Sequence, residues 1–342
     1  MAYITFQPND YFNTKLYTGT GSSNSITGVG FQPDWVWIKN RGNTESHALF
    51  DAVRGVTKRI VSNSTGAEET NANTVTAFGT DGFTVGTNAG VNGSGISTVA
   101  WNWKANGSGS SNTDGSTAST VSVNTTAGFS IVKWTGSGSA TTIGHGLGVT
   151  PKIIMLKNTS EVYGWQVYHA SLGNTKYLAL DSTDAQATSS QSWNNTSPTS
   201  TVFSVGASDS NNKSGNTIIA YCFAEKKGFS KFSSYTGNGS SSNSPFIYTG
   251  FKPAFIIIKK DATDYWFMYD NKRGDINANA KTLKANTSDA EGTSGKEIDF
   301  LSNGVKIRNS NNSINTSGST YIYMVFAEEP LVASNGIPAT AR

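Results

Sequence analysis

Asp51 and Arg54 stand three apart just before Gly55, and Asp270 and Arg273 stand three apart just before Gly274. A carboxylate and a guanidinium at that spacing can close a turn by a charge-assisted contact, or leave the guanidinium as an anion site. The same place in the middle of the chain holds His169 and Leu172, so both partners are lost together. Joint loss favours structural turn pairs over a shared ligand site.

The other residues able to do chemistry are scattered. His47, His145 and His169 are the three histidines, and none falls in a Ser/His/Asp or HxxxH arrangement. No phosphate loop, GxGxxG fingerprint or Cys/His metal cluster occurs, so neither a cofactor nor a metal is expected. Asp181 and Asp184 read as turn carboxylates in preference to a calcium site. The acidic residues elsewhere sit in turns and select no glycosidase pair. Cys222, the single cysteine, lies in an apolar run and reads as a small buried hydrophobe. No catalytic residue is expected, and the chain is read as a non-enzyme.

Eight tryptophans suggest a carbohydrate platform. Most of them, however, stand where other parts of the chain carry Ile, Met, Phe or Tyr, which is what packing tolerates. Trp193 differs, because Ser-Gln-Ser-Trp-Asn-Asn-Thr-Ser-Pro is a polar segment with no counterpart. Trp193, Asn194 and Asn195 are therefore the candidate exposed ligand contacts.

The elements that would position these residues repeat. Gly-Phe-Gln-Pro-Asp-Trp-Val-Trp-Ile-Lys from Gly30 is matched by Gly-Val-Thr-Pro-Lys-Ile-Ile-Met-Leu-Lys from Gly148 and by Gly-Phe-Lys-Pro-Ala-Phe-Ile-Ile-Ile-Lys from Gly250. Pro33, Pro151 and Pro253 should stand at strand starts, since proline has no donor for a ladder. Lys39, Lys157 and Lys259 read as solvated strand ends. An aromatic followed by Thr-Gly closes an earlier strand at Tyr17, Trp134 and Tyr235. The last strand of each copy ends in Trp103, Phe223 or Phe326. Asp81-Gly82 and Asn303-Gly304 between apolar runs signal hairpins.

Seven or eight short strands per copy of about 100 residues give an all-β chain of three tandem antiparallel β-sandwich domains, jelly-roll or concanavalin-like. The expected boundaries are 1–104, 127–226 and 227–329, with a Gly/Ser/Thr-rich linker at 105–126 and a tail at 330–342. The linker should be flexible unless it packs as an arm, and its length would let the first domain be placed apart from the other two. The run after each proline is apolar on both faces, so something beyond one sandwich core must cover it. Loops, a neighbouring domain or another subunit could supply that cover, and a homo-oligomer, specifically a trimer, is expected.

Charged residues are 14% of the 342 and the net charge is +3, with no stripe of Lys and Arg, so nucleic acid is not an expected partner. The opening residues lack the basic and apolar regions of a secretory signal, and no run is long enough for membrane insertion.

The segments Phe-Gln-Pro-Asn-Asp-Tyr-Phe-Asn-Thr-Lys-Leu-Tyr-Thr-Gly, Gly-Phe-Gln-Pro-Asp-Trp-Val-Trp-Ile-Lys-Asn-Arg and Phe-Asp-Ala-Val-Arg-Gly resemble a repeat domain of unknown function found in tailed bacteriophages, especially marine ones. The resemblance is clearest over 6–104. It implies a virion component, tail-fibre-like or otherwise surface-exposed. Together with the tandem sandwiches, the two-sided apolar strands and the lack of signal and catalytic motifs, this gives the expected role: a virion structural protein at the virion surface, made in the host cytoplasm, a tail fibre, spike or head fibre used for host attachment. The expected partners are other virion proteins and a host surface glycan. The alternative is a capsid decoration or tail adaptor protein that binds only virion proteins. A polysaccharide depolymerase is the third class, and is not expected. The family brings no catalytic residue.

Overall fold

The computed structural model describes residues 6–274, 277–293 and 295–330; the expected tail beyond 330 lies outside them. The chain is all-β, and every pairing between its named strands is antiparallel. Three large sheets dominate. The first runs Phe12–Thr18, Ser97–Trp103, Trp35–Asn40, Ala48–Asp51, Lys58–Val61, Glu69–Thr70 in neighbour order. The middle one holds Phe129–Thr135, Thr217–Phe223, Ile153–Asn158 and Gln166–His169 in the corresponding order. The last holds Ser230–Thr236, Thr320–Pro330, Phe251–Lys260, Trp266–Asp270 and Leu283–Lys284. Register agrees as well: Trp103 lies between Phe12 and Trp35, Phe223 between Phe129 and Ile153, and Phe326 between Ser230 and Phe255.

Each large sheet buries one face against smaller strands of its own group. Ile26, Val36, Ile38, Phe50, Phe83 and Val85 form one such core, and separate clusters occupy the same place in the other two groups. The opposite faces of all three large sheets meet in a single core containing Trp35, Trp103, Phe129, Phe223, Phe255 and Phe326. Both faces of Trp35–Asn40, Ile153–Asn158 and Phe255–Lys259 are therefore buried within one chain, which accounts for their unbroken apolar runs. The strand-end aromatics Trp103, Phe223 and Phe326 converge, with ring centres 5.7–6.4 Å apart.

At the joints one alternative is decided and one expectation is corrected. The segment at 105–126 is no free linker: Ser110–Asn112 and Ser119–Asn124 extend the middle sheet at its edge. The first group is not placed apart, because Trp35 stacks on Tyr221 with centroids 4.3 Å apart. Burial of these rings outweighs the freedom that Gly and Ser would give the connection.

Pro33 and Pro151 precede their strands as expected, but Pro253 lies inside Phe251–Lys260. There the pairing shifts register on either side of it, a bulge that tolerates the missing donor. Both glycine-marked hairpins form, one residue earlier than the dipeptides suggest: Gly82 pairs with Gly79, and Gly304 with Leu301. These glycines serve close approach. A Cβ on Gly82 would lie 1.9 Å from the Ile26 carbonyl oxygen, and one on Gly304 would lie 2.3 Å from that of Ile247.

Candidate functional site

Asp51 and Arg54 meet, with Nε 2.5 Å from Oδ2, and Asp270 and Arg273 meet at the same distance. All four side chains are buried. Each carboxylate also reaches a neighbouring sheet group. Tyr221 donates to Asp51 Oδ2 at 2.8 Å, and Trp101 Nε1 donates to Asp270 Oδ2 at 2.9 Å. Tyr221 and Trp101 hold matching positions on the last strands of the middle and first groups; the third such position is Met324, which has no donor. His169 faces that strand instead, with Nε2 3.3 Å from the Tyr323 carbonyl oxygen. Loss of the Asp/Arg pair thus coincides with loss of the donor opposite it. These residues join sheets and leave no open guanidinium for a ligand.

The same cyclic order recurs in the backbone. The amides of Glu68, Gln186 and Glu291 donate to Thr159, Asp261 and Arg41 at 2.8, 2.8 and 3.0 Å, closing first to middle, middle to last and last to first. Trp165 and Trp266 follow it too, donating from Nε1 to Val61 and Ala179 carbonyls at 2.9 Å each. Burial pushes the His169 pKa down to about 4 and also lowers those of His47 and His145. The buried thiol of Cys222 is pushed up by the same cause. Asp181 accepts the Trp165 amide at 2.8 Å, which is turn chemistry. Among the described residues no group of three His, Cys, Asp or Glu gathers as a metal-ligand set.

Lys39, Lys157 and Lys259 are not solvated: each is 0% exposed. Lys39 Nζ donates to Asn40 and Asn43 carbonyls, Lys259 Nζ to those of Lys260 and Ala262, and Lys157 Nζ to those of Asn158 and Thr65. Desolvation lowers all three pKa values to about 8, against the pull of nearby carboxylates. The ammonium groups staple loop carbonyls that would otherwise turn to water.

Trp193 is also buried, at 1% exposure, so it is not the exposed contact expected from its polar neighbours. Its Nε1 donates to the Lys176 carbonyl at 3.0 Å and its ring meets Tyr168 edge-on at 5.7 Å. Ser190–Trp193 is a single helical turn that aims the indole inward, while Asn194 and Asn195 follow in the left-handed region and face solvent.

The large apolar side chains that do face solvent include a pair that sequence reasoning missed. Phe246 and Tyr248 are 43% and 53% exposed on either side of buried Ile247. Alternation along strand Phe246–Tyr248 puts both rings on the outer face of the small last sheet. Phe246 lies against Gly304, whose missing Cβ would otherwise meet Cζ at 2.7 Å. Lys231 Nζ stands 5.4 Å from the Tyr248 ring centre and donates to the Tyr248 carbonyl at 3.0 Å. Lys306 pairs across the ladder from Phe246 and Asp299, and Asp299 holds the half-exposed Arg308 at 3.2 Å. Ile26 and Ile143 occupy the place of Ile247 in the other small sheets. Their flanking residues are Ser25 and Thr27, and Thr142 and Gly144, so the aromatic pair belongs to the last group alone. That departure at otherwise polar positions was the sequence signal.

A family model described as "Domain of unknown function (DUF7483)" matches residues 7–330, which takes in all three large sheets. No curated protein and no solved structure matches the chain.

Proposed function

The chain belongs to the DUF7483 family, and from that premise we propose a non-enzymatic virion structural protein that displays its sheets for attachment to a host surface glycan. The three sheet groups are read as tandem β-sandwich repeats, jelly-roll or concanavalin-like, over 1–104, 127–226 and 227–329. A tail fibre, spike or head fibre is the setting suggested by the resemblance of the opening segments to phage domains. The observation that carries the binding reading is the exposed Phe246/Tyr248 pair with its rim of Lys231, Lys306, Asp299 and Arg308. A pyranose ring presents an apolar C–H face that stacks on an aromatic ring, while its hydroxyls need charged and polar partners at the edge. Two rings on one strand, about 7 Å apart by the period of a strand, suit successive positions along a saccharide.

The expected trimer arose from strands needing cover on two faces. That cover is supplied within one chain, so this ground for a homo-oligomer falls away.

On a glycan array, the wild-type protein is expected to select a small set of glycans, and the F246A/Y248A double variant to lose at least tenfold in affinity for them, since a binding hot spot costs about 2 kcal/mol or more when truncated. Retention of full affinity by the double variant would refute the site. Absence of glycan binding together with tight binding to empty capsids would establish the decoration reading instead. Release of reducing ends from host polysaccharide would overturn the non-enzymatic reading.

A further inference from the structure

The three junctions between sheet groups also differ at the position of Arg41. Between the last and first groups, Arg41 reaches across to Glu291, with Nε and Nη2 at 2.9 and 2.8 Å from its two oxygens. Between the first and middle groups Glu68 takes the place of Glu291, as the matching amide-to-carbonyl bonds show, and Thr159 takes the place of Arg41. The short side chain leaves a cleft of about 390 Å³, within the range of small-ligand sites, roughly 300–1,000 Å³.

Three cationic heads line this cleft. Arg54 is committed to Asp51 and Glu68, and Lys58 binds Thr70 Oγ1 at 2.7 Å and lies 3.6 Å from Glu68. Among the described residues Lys133 Nζ donates to the Val53 carbonyl alone, at 3.2 Å, which leaves two of its three donors without a partner there. At the last–first junction the place of Lys133 is taken by apolar Leu16, since Tyr17 and Trp134 stand in register at the same strand end. Here, then, a filling arginine has been removed and a second lysine faces the opening.

We propose that this cleft binds a carboxylate or sulfate carried on a hydroxyl-rich molecule, the chemistry of an acidic sugar residue. The anion would meet Lys133 and Lys58, and Thr159, Ser160 and Thr217 would face its hydroxyls. The site is separate from Phe246 and Tyr248, and holds or fails independently of them.

Isothermal titration of the full chain with glucuronate, inorganic sulfate and glucose tests it. Glucuronate is expected to bind in the millimolar range or tighter, with glucose and inorganic sulfate each at least tenfold weaker; sulfate binding as tightly as glucuronate would overturn the assignment to an acidic sugar. T159R copies the chain's own solution at Arg41, and K133L copies Leu16. Each is expected to reduce glucuronate affinity at least tenfold with little change in melting temperature. K133L decides the matter should T159R fail to fold. Absence of glucuronate binding at tens of millimolar, equal binding of glucose, or unchanged affinity in K133L would overturn the proposal.

Discussion

Replacing Arg273 by Leu is expected to lower the free energy of unfolding by about 3–5 kcal/mol, read as a shift in the urea midpoint. The guanidinium is fully buried and makes three contacts beyond Asp270 Oδ2: Nη2 donates to the Met268 carbonyl at 2.9 Å, Nη1 lies 3.0 Å from Glu291, and the group sits 5.4 Å from the Trp101 ring centre. Its removal leaves the Asp270 carboxylate without its cation in a core where water cannot replace it. Asp270 would keep the Trp101 bond and the amide bonds from Lys272 and Arg273, which stabilise the anion only in part. Replacing both partners, as D270N/R273L, should cost less than R273L alone, because no net charge is then buried. The middle group already carries such a neutral solution in His169 and Leu172. A cost below 1 kcal/mol for R273L, or a double variant worse than the single, would show that the pair does not hold the junction.

The junctions also mark where the sequence could be read and where it could not. Proline, the two-sided apolar run and the terminal glycine are visible in all three matching stretches, and these stretches do build three sheets of like order. The shared core was visible only as a need for cover, because periodicity shows that a face is apolar without naming what packs on it. Composition misled at 105–126, where Gly and Ser read as flexibility although Ser119–Asn124 pairs along its whole length with Phe129–Trp134. It misled again at Trp193, whose polar neighbours concealed an indole turned inward. The lysines were missed because strand-end position was taken for solvation, whereas three loops fold back over the ammonium groups. Asn92, Asn212 and Asn315 could have been found. Each opens an Asn-x-Ser-Gly segment, is fully buried, and accepts at Oδ1 from the amide of Thr20, Ser137 or Asn238 at 2.8–3.0 Å. A polar residue that recurs three positions before a glycine in all three sheet groups is a fold specification that hydropathy does not register.

Those lysines should give the protein an unusual pH profile, with stability rising from pH 8 toward pH 10. Lys39, Lys157 and Lys259 have folded pKa values of about 8, against roughly 10.4 in an unfolded chain. Between those values the unfolded state holds more protons than the folded state, so unfolding becomes harder as pH rises. Each lysine contributes on the order of 1–3 kcal/mol across this window, at 1.36 kcal/mol per unit of pKa difference. The gain should end near pH 10, where unfolded tyrosines ionise while buried Tyr17, Tyr221 and Tyr269, whose pKa values burial raises, stay neutral. On the acid side the histidines act in the same sense as the lysines. His169 has a folded pKa of about 4 against roughly 6.5 unfolded, so stability falls as pH drops through that interval, by on the order of 3 kcal/mol for this residue. Asp34 and Asp181, raised by burial, oppose part of that loss. Urea midpoints at pH 4.5, 7.5 and 9.5 should therefore increase in that order. K157M removes one titrating group and should flatten the rise from 7.5 to 9.5 by about a third, while H169Q should shrink the loss from 7.5 to 4.5. A wild-type midpoint no higher at pH 9.5 than at 7.5 would mean that the three ammonium groups keep ordinary proton affinity despite their burial, and that the loop carbonyls around them compensate desolvation in full.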